Sequence, residues 1–415
     1  MPLSKWLVSK MKIRTVGTIF KKEMTDTLRD RRTLIFMLLV PIVAIPLLIM
    51  FTSSMMVSSV TKAQEEKATV VVSGMENLPI DLKDSLLNSP RLIVRHEDEY
   101  EGRDLIEALR MGEFMALLEI PENFDRAIEA ESPTEIEIYY DKAEIKSDFA
   151  VDKLKDIFDP YRDRVIETRL QNRKISPEIL TPFEIASQNV ASAQKVAGRE
   201  LGAILPYLII IMCFLGAMYP AIDLAAGEKE RGTLETLLVS PASRGEFVIG
   251  KYLVILTTGI VAALLSMASL TFSMNYMIDE MLSKATTELL ALRFDLEMVI
   301  LVIMIVLPLA GIFASVLLSI SIFARSFKEA QSYITAMNMF IILPAFISFL
   351  PGVELDFKMS LIPIVNVSLI IKDAISGTVE WNFVISAFIS TLLLAALALL
   401  FSRRWFERES VLFRM

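Results

Sequence analysis

Two kinds of side chain are nearly missing from this 415-residue sequence, which has one cysteine, Cys213, and one histidine, His96. A single cysteine excludes a disulfide within the chain. One cysteine and one histidine cannot supply the ligands of a zinc site, so no metal site is expected. A serine–histidine–acid triad would have to use His96, and nothing around it resembles a nucleophile elbow. Charge is also scarce in long stretches, although the whole chain carries a formal −8. That total says little until it is divided by side of a membrane.

What is abundant is apolar sequence: 53% of residues are hydrophobic, and they are clumped rather than spread. Six continuous runs lie at about 33–57, 201–222, 252–275, 298–323, 331–350 and 382–402. A hydrocarbon core ~30 Å thick takes about 20 residues of helix, so each run predicts a transmembrane helix. None of the runs alternates, which removes the barrel reading. The first 32 residues carry nine Lys/Arg against three acids, placing the N-terminus on the cytoplasmic side. Lys229, Arg231 and Arg244 between runs two and three, and Arg325 and Lys328 between runs four and five, fall on that same side. So do Arg403, Arg404, Arg408 and Arg414 in a tail over 403–415. Asp279, Glu280, Glu288, Asp295 and Glu297 fall on the other side. The first run lacks a cleavage pattern and is expected to stay as an anchor in a bacterial or archaeal cell membrane. Within residues 1–32, Ile13, Val16, Phe20, Met24 and Leu28 recur at helical spacing. They predict an amphipathic helix along the inner surface; a solvated cytoplasmic helix is the alternative.

Residues 58–200 read as an extracytoplasmic α/β domain on a helical stalk. Between 60 and 200 stand 30 acids and 19 Lys/Arg. Thr69–Ser73, Leu92–Arg95, Met115–Pro121 and Glu135–Tyr140 have strand character. Asp104–Arg110 is a short amphipathic helix. From Ser147 to Ala197 the pattern turns helical, with breaks expected near Pro160, Pro177 and Pro182. The acids keep an exposed face solvated or gather cations; surface acidity alone does not choose.

The most informative stretch lies within 223–251, where Glu228–Pro241 forms a charged, helix-prone segment wedged between two apolar runs. Leu234, Leu237 and Leu238 share one helical face. Glu228, Lys229, Glu230, Arg231 and Glu235 offer charged contacts, Gly232 permits a break, and Thr233 is available as an N-cap. The segment suits a helix that takes mechanical input from a soluble partner, or one resting on headgroups. Gly245–Lys251 matches part of a phosphate-binding loop, but Tyr252 stands where the magnesium-binding hydroxyl belongs and no strand precedes it. No nucleotide site is expected in this chain.

The stretch GEKERGTLETLLVSP (227–241) resembles the cytoplasmic signature of type-2 ABC permeases. FKKEMTDTLRDRRTLIFMLLVP (20–41), ALRMGEFMALLEIPENF (108–124), SIFARSFKEAQSY (321–333) and LIPIVNVSLIIKDAISG (361–377) resemble the same family. The first and last of these four are most similar to its sodium-export branch. The resemblance implies an α-helical polytopic protein of six spans with the type-2 exporter permease fold, working as a homodimer or heterodimer. Each permease would sit on a separate ATPase subunit that binds ATP and magnesium. The 228–241 helix, including Pro241, and the Arg325-Ser-Phe-Lys328-Glu329 loop would receive the ATPase stroke. On this reading the chain holds no cofactor and is not catalytic alone. Its partners are the ATPase, a second permease and membrane lipid, with no nucleic acid.

A substrate path is harder to read, because charge inside a span is costly and usually functional, and here it is sparse. Asp223, Asn275, Asn338 and Asn366 are candidates, with Ser315 and Ser319 as hydroxyl donors. Serines in spans more often bond their own backbone. Sodium is the expected cargo. Export of a lipid, peptide or drug is the alternative within transport, and a non-transporting sensing complex the alternative outside it. Residues 252–402 hold spans three to six, and 351–381, broken by Pro351, Gly352, Pro363 and Gly377, reads as an outer re-entrant hairpin too short to cross twice.

Overall fold

The computed structural model describes residues 12–100, 103–180, 202–233, 240–282, 296–350 and 352–406, together with 182, 183, 186, 188 and 195. The chain divides into two compact units, Ser53–Asn189 and the remainder.

The remainder is a helical bundle. Among the described residues six helices are long and apolar enough to cross a membrane: Arg31–Glu65, Ile204–Glu230, Arg244–Ser273, Leu296–Phe323, Phe327–Phe349 and Trp381–Phe406, here called spans 1 to 6. Span 2 is the hub, apolar on every side and buried among its neighbours, as an all-round hydrophobic helix must be. It lies tightly on span 3, where a Cβ added to Gly216 would stand 2.3 Å from the Cβ of Ala262. Small residues at such a seam let backbones approach and gain dispersion contact, the main attraction left once lipid replaces water. Spans 1, 5 and 6 are mostly unburied and present Leu47, Leu48, Phe51, Phe340, Leu343, Leu393 and Leu397 outward. So large an apolar surface suits hydrocarbon and not water.

Local sequence explains the irregularities. Pro41 lacks an N–H, and span 1 accommodates it by widening to π-helix over Ile35–Ala44. The second apolar run ends at 222, but span 2 does not. It passes through a π turn at Asp223–Gly227 and stays helical to Glu230. Ahead of span 1, helix α1 (Ile13–Thr27) packs along span 3. Its buried face is Val16, Ile19, Glu23 and Thr27, so the face read from the sequence is turned: Ile13 and Leu28 are exposed. Glu23 is part of that inner face and borders a cleft described below.

Between spans 5 and 6 the chain folds into two short helices, Phe357–Ser360 and Val365–Ser376. The second ends on Gly377 in the left-handed conformation and, at 12 residues, extends only ~18 Å.

The other unit is a four-stranded sheet in the order β2-β1-β3-β4, with β1 Ala68–Ser73, β2 Leu92–His96, β3 Ala116–Glu119 and β4 Glu137–Tyr140. β1 pairs parallel with β2 and β3, and β4 returns antiparallel to β3. Val70 and Val72 bury against helices Ile80–Leu87 and Ile145–Asn172 on one face. Val71 buries with Leu109 and Phe114 on the other. Burial on both faces is why this strand reads as an unbroken apolar run. Helix Ile145–Asn172 runs through Pro160, where the sequence predicts a break; a helix this long tolerates one missing donor when the rest of its ladder is intact. Lys153 on that helix is buried, and its Nζ donates to the carbonyls of Ala63 (3.0 Å) and Glu66 (2.6 Å). The ammonium thus closes the orphan carbonyl end of the helix that precedes β1.

Candidate functional site

The candidate site is the end of the bundle that carries α1, where span 2 runs out, span 3 begins and span 5 starts. Because span 2 continues to Glu230, Glu228 sits on its inward face and is 5% exposed. Lys251, about two turns into span 3 and 1% exposed, donates its ammonium to the Glu228 carboxylate and to the Leu224 carbonyl. The expected role of Glu228 as an exposed contact is thereby corrected: its charge is spent inside the bundle. Lys251 falls within the chance phosphate-loop match, which gives no hint of this role. The signal that would have found it is a lone cation inside an apolar run, which must have a partner.

Arg231 folds back to Asp223 at 2.7 Å, and this hydrogen bond holds the guanidinium pKa above its ordinary value. Gly227 makes the contact possible, since a Cβ there would stand 2.7 Å from Asp223 Oδ1 and 3.2 Å from Arg231. Asp223, read as a substrate-path residue, is therefore occupied at this end of the bundle. The helix closes on Gly232, left-handed at φ +70°, whose N–H donates to the Lys229 carbonyl at 3.2 Å. Thr233 Oγ1 donates to the Glu228 carbonyl at 3.2 Å, which ties it back to the end of span 2. Leu234, Glu235, Leu237 and Leu238 lie outside the described residues. Pro241 is exposed just ahead of span 3.

Two further contacts tie this segment to its surroundings. Glu230 accepts the backbone N–H of Phe327 at 2.8 Å, joining the end of span 2 to the start of span 5. Span 5 opens with a capping box: Ser326 Oγ accepts the Glu329 N–H at 3.3 Å, and Glu329 accepts from the Arg325 N–H at 2.7 Å and from the Tyr333 hydroxyl at 2.7 Å. Glu329 is thus a cap, whereas Arg325 and Lys328 are exposed. Span 3 opens the same way. Glu246 accepts from the Ser243 N–H at 2.8 Å and, with its other oxygen, from the Lys12 N–H ahead of α1 at 2.8 Å.

A cleft of about 330 Å³ lies at the centre, lined by Lys22, Glu23 and Asp26 of α1 and by Asp223, Glu228, Arg231 and Thr233. Partial burial works against the Lys22 charge, but Glu23, Glu228 and Asp26 outweigh it and raise the ammonium's pKa. Lys22 reaches Glu23 at 3.1 Å and Asp26 at 3.5 Å. Glu228–Lys251 joins span 2 to span 3, and α1 brings Lys22 and Glu23 to the same cleft, where Lys22 feels the Glu228 charge.

The remaining candidates are scattered. Ser315 and Ser319 donate to the carbonyls one turn back, at 2.9 and 2.8 Å. Asn275 and Asn338 each leave a buried amide oxygen without a protein partner. Asn366 is fully buried in the hairpin between spans 5 and 6. Its amide donates to the Ser360 carbonyl and to Thr391 Oγ1, both at 2.9 Å, and its oxygen accepts from the Val367 N–H at 2.7 Å. That is a tether, so the six do not form one site.

Two cavities lie elsewhere in the bundle. One of about 750 Å³ is apolar, lined by Ser319, Phe323, Tyr333, Leu397, Phe401 and Trp405 from spans 4, 5 and 6. The other, about 650 Å³, lies at the far end and is lined by Ser348, Glu354, Lys372, Asp373 and Glu380. Burial pushes the Asp373 carboxyl up to about 6 against the pull of Lys372, with Glu380 and Glu354 adding to the rise.

Residues 31–403 match the family described as ABC-2 family transporter protein. The chain is 29% identical over 397 residues to the ABC transporter permease protein NatB of Bacillus subtilis (strain 168), an alignment covering 94% of this chain and 97% of that one. No solved structure matches. With six apolar helices, and a match running from the first span to the last, this chain belongs to the ABC-2 family of transporter proteins, as a membrane-spanning permease subunit.

Proposed function

We propose that the chain is the permease of an ATP-driven exporter whose nucleotide is hydrolysed by a separate subunit, and that its cargo is sodium. The observation that carries the first half is the α1 end: an exposed segment, Arg231–Thr233 and Pro241, hung between span ends that are themselves joined by Glu228–Lys251 and Glu230–Phe327. A push on such a segment moves whole helices, because packed spans shift as rigid bodies. The positive-inside pattern supports a cytoplasmic placement of this end and both termini, with the α/β unit outside the cell. Sodium rests on the resemblance of residues 20–41 and 361–377 to the sodium-export branch. Two permeases, most simply two copies of this chain, would form the working transporter, with the mostly unburied spans 1, 5 and 6 meeting lipid or the second copy.

Closed vesicles holding this chain and its ATPase, oriented with the ATPase outward, should accumulate sodium when ATP is added. Robust ATP hydrolysis with no sodium movement would remove the cargo assignment. One observation favours a second cargo reading, a lipid or amphipathic compound: the apolar cavity between spans 4, 5 and 6. ATP-driven movement of a fluorescent lipid in the same vesicles decides between the two. The coupling role is tested by changing Glu230→Ala together with Glu235→Ala. Transport should fall while membrane insertion is retained, and transport at the parental rate refutes it.

A further inference from the structure

Helix α1 has a second face that the coupling end does not use. Its inner side is committed to the bundle, with Ile19 resting on Gly250 of span 3 and Glu23 in the charged cleft. The other side, with the turn that follows it, exposes Lys12, Arg14, Lys21, Arg29, Arg31 and Arg32, while Lys22 and Asp26, paired with each other, lie at the border with the cleft. Asp30, half-buried as the cap of span 1, adds a second negative charge, and the cations still outnumber the two acids. Burial opposes its charge, but hydrogen bonds from Thr33 and Arg32 hold its pKa below the ordinary value. Arg14, Lys21 and Lys22 border one shallow groove along the helix. Exposed apolar residues stand at the two ends, Ile13 at 83% and Leu28 at 47%.

Position decides what this face meets. Only Leu28–Asp30 separate α1 from span 1, a reach of at most ~10 Å, so the basic face is held at headgroup depth beside the first apolar run. Basic residues clustered next to a span, with apolar side chains free to dip into the interface, match the chemistry of an anionic bilayer surface. We propose that the outer face of α1 binds anionic phospholipid headgroups, and that α1 passes their occupancy to the coupling segment. The path is physical. Lys12 N–H holds Glu246 at the start of span 3, and Lys22 and Glu23 meet Glu228 and Arg231 in the cleft at the end of span 2, so α1 braces both sides of residues 231–243. Headgroups that fix α1 therefore fix the span ends that receive the ATPase stroke. The transmitted effect rests on the ATPase reading above; the lipid surface does not.

The test uses the full chain, parental and with Arg14→Gln, Lys21→Gln and Arg29→Gln combined, melted first in detergent to show that both fold. Native mass spectrometry of the chain alone, loaded with equal phosphatidylglycerol and phosphatidylcholine, should show the parent retaining phosphatidylglycerol selectively. Each neutralised cation should weaken that retention about five-fold. With its ATPase, the parent should hydrolyse ATP several-fold faster in vesicles containing phosphatidylglycerol than in pure phosphatidylcholine, and the triple variant should lose the difference. Equal phosphatidylglycerol retention by parent and variant overturns the proposal. So does loss of the co-purifying ATPase from the variant in phosphatidylcholine, which would make this face a protein dock.

Discussion

The two ends of the helical bundle are held by different chemistry. At the α1 end the side-chain contacts are charged: Glu228 pairs with Lys251 across spans 2 and 3, and within single segments Asp223 pairs with Arg231 and Glu23 with Lys22. At the hairpin end they are neutral. Asn366 bonds Ser360 and Thr391, Ser368 bonds the Ala345 carbonyl at 3.0 Å, Ser348 bonds the Ala203 carbonyl at 2.8 Å, and Ser390 bonds the Ser360 carbonyl at 3.1 Å. Neutral hydrogen bonds inside an apolar bundle fix one geometry, because an unpaired partner has nowhere else to turn. Charged pairs at a bundle's edge can exchange partners, and Lys22 already has two within 3.5 Å. The difference fits a machine moved at one end and braced at the other.

The largest expected effect breaks the charged end. Lys251→Met strands Glu228 inside the bundle and should cost about 3–5 kcal/mol, whereas Lys251→Met with Glu228→Gln should recover most of it. Thermal unfolding in detergent reads both, and a single variant no worse than the double would show that the pair compensates nothing. Next comes the neutral end: Asn366→Ala orphans buried hydrogen-bonding groups at a cost of about 1–3 kcal/mol. The contrast predicts that it lowers the melting temperature while ATP hydrolysed per cargo moved stays unchanged. A change in that ratio would erase the division between the ends.

Gly227→Ala should barely alter stability, because the better helix propensity of alanine, up to about 1 kcal/mol, offsets a weakened Asp223–Arg231 pair worth about as much or less. It should still reduce coupling, seen as ATP hydrolysis without transport. The smallest effect concerns pH. Asp373 keeps its proton up to about 6 in the folded chain, above the ordinary carboxyl value, so the folded state binds that proton more tightly than the unfolded one. Its contribution to stability is complete at more acid pH and is lost as pH rises through about 6. Asp373→Asn should flatten that part of the melting-temperature profile, and an unchanged slope would show that another group titrates there.

Much of the architecture was legible because it follows from one-dimensional patterns. Runs of ~20 apolar residues have one solution in hydrocarbon, so six helices could be read directly, and the Val70–Val72 run announced a strand buried on both faces. Boundaries were less legible. Span 2 continues past 222 because its π turn carries Glu228 inward to Lys251, and neither residue signals the other across 23 positions of sequence. Residue type marked the coupling segment without revealing what each side chain does there. Glu228 pairs inward, Glu329 caps span 5, and although Ser243-x-x-Glu246 is a local capping signature, nothing local announces the bond of Glu246 to Lys12 or that of Lys251 to Glu228. Asn366 stands out in the sequence as a polar residue near a membrane, yet it works as a tether; only its partners on two other segments reveal that.

The sequence by itself determined that this is a helical membrane protein, where its six long apolar runs lie, and which short charged segment between spans 2 and 3 is exceptional. Those properties depend on residues close together along the chain, on hydropathy and on local charge. Which charges are spent inside the bundle and which stay exposed was decided only in three dimensions. The cost of burying a charge is set by what faces it, and here the facing groups come from α1, from span 3 and from the start of span 5.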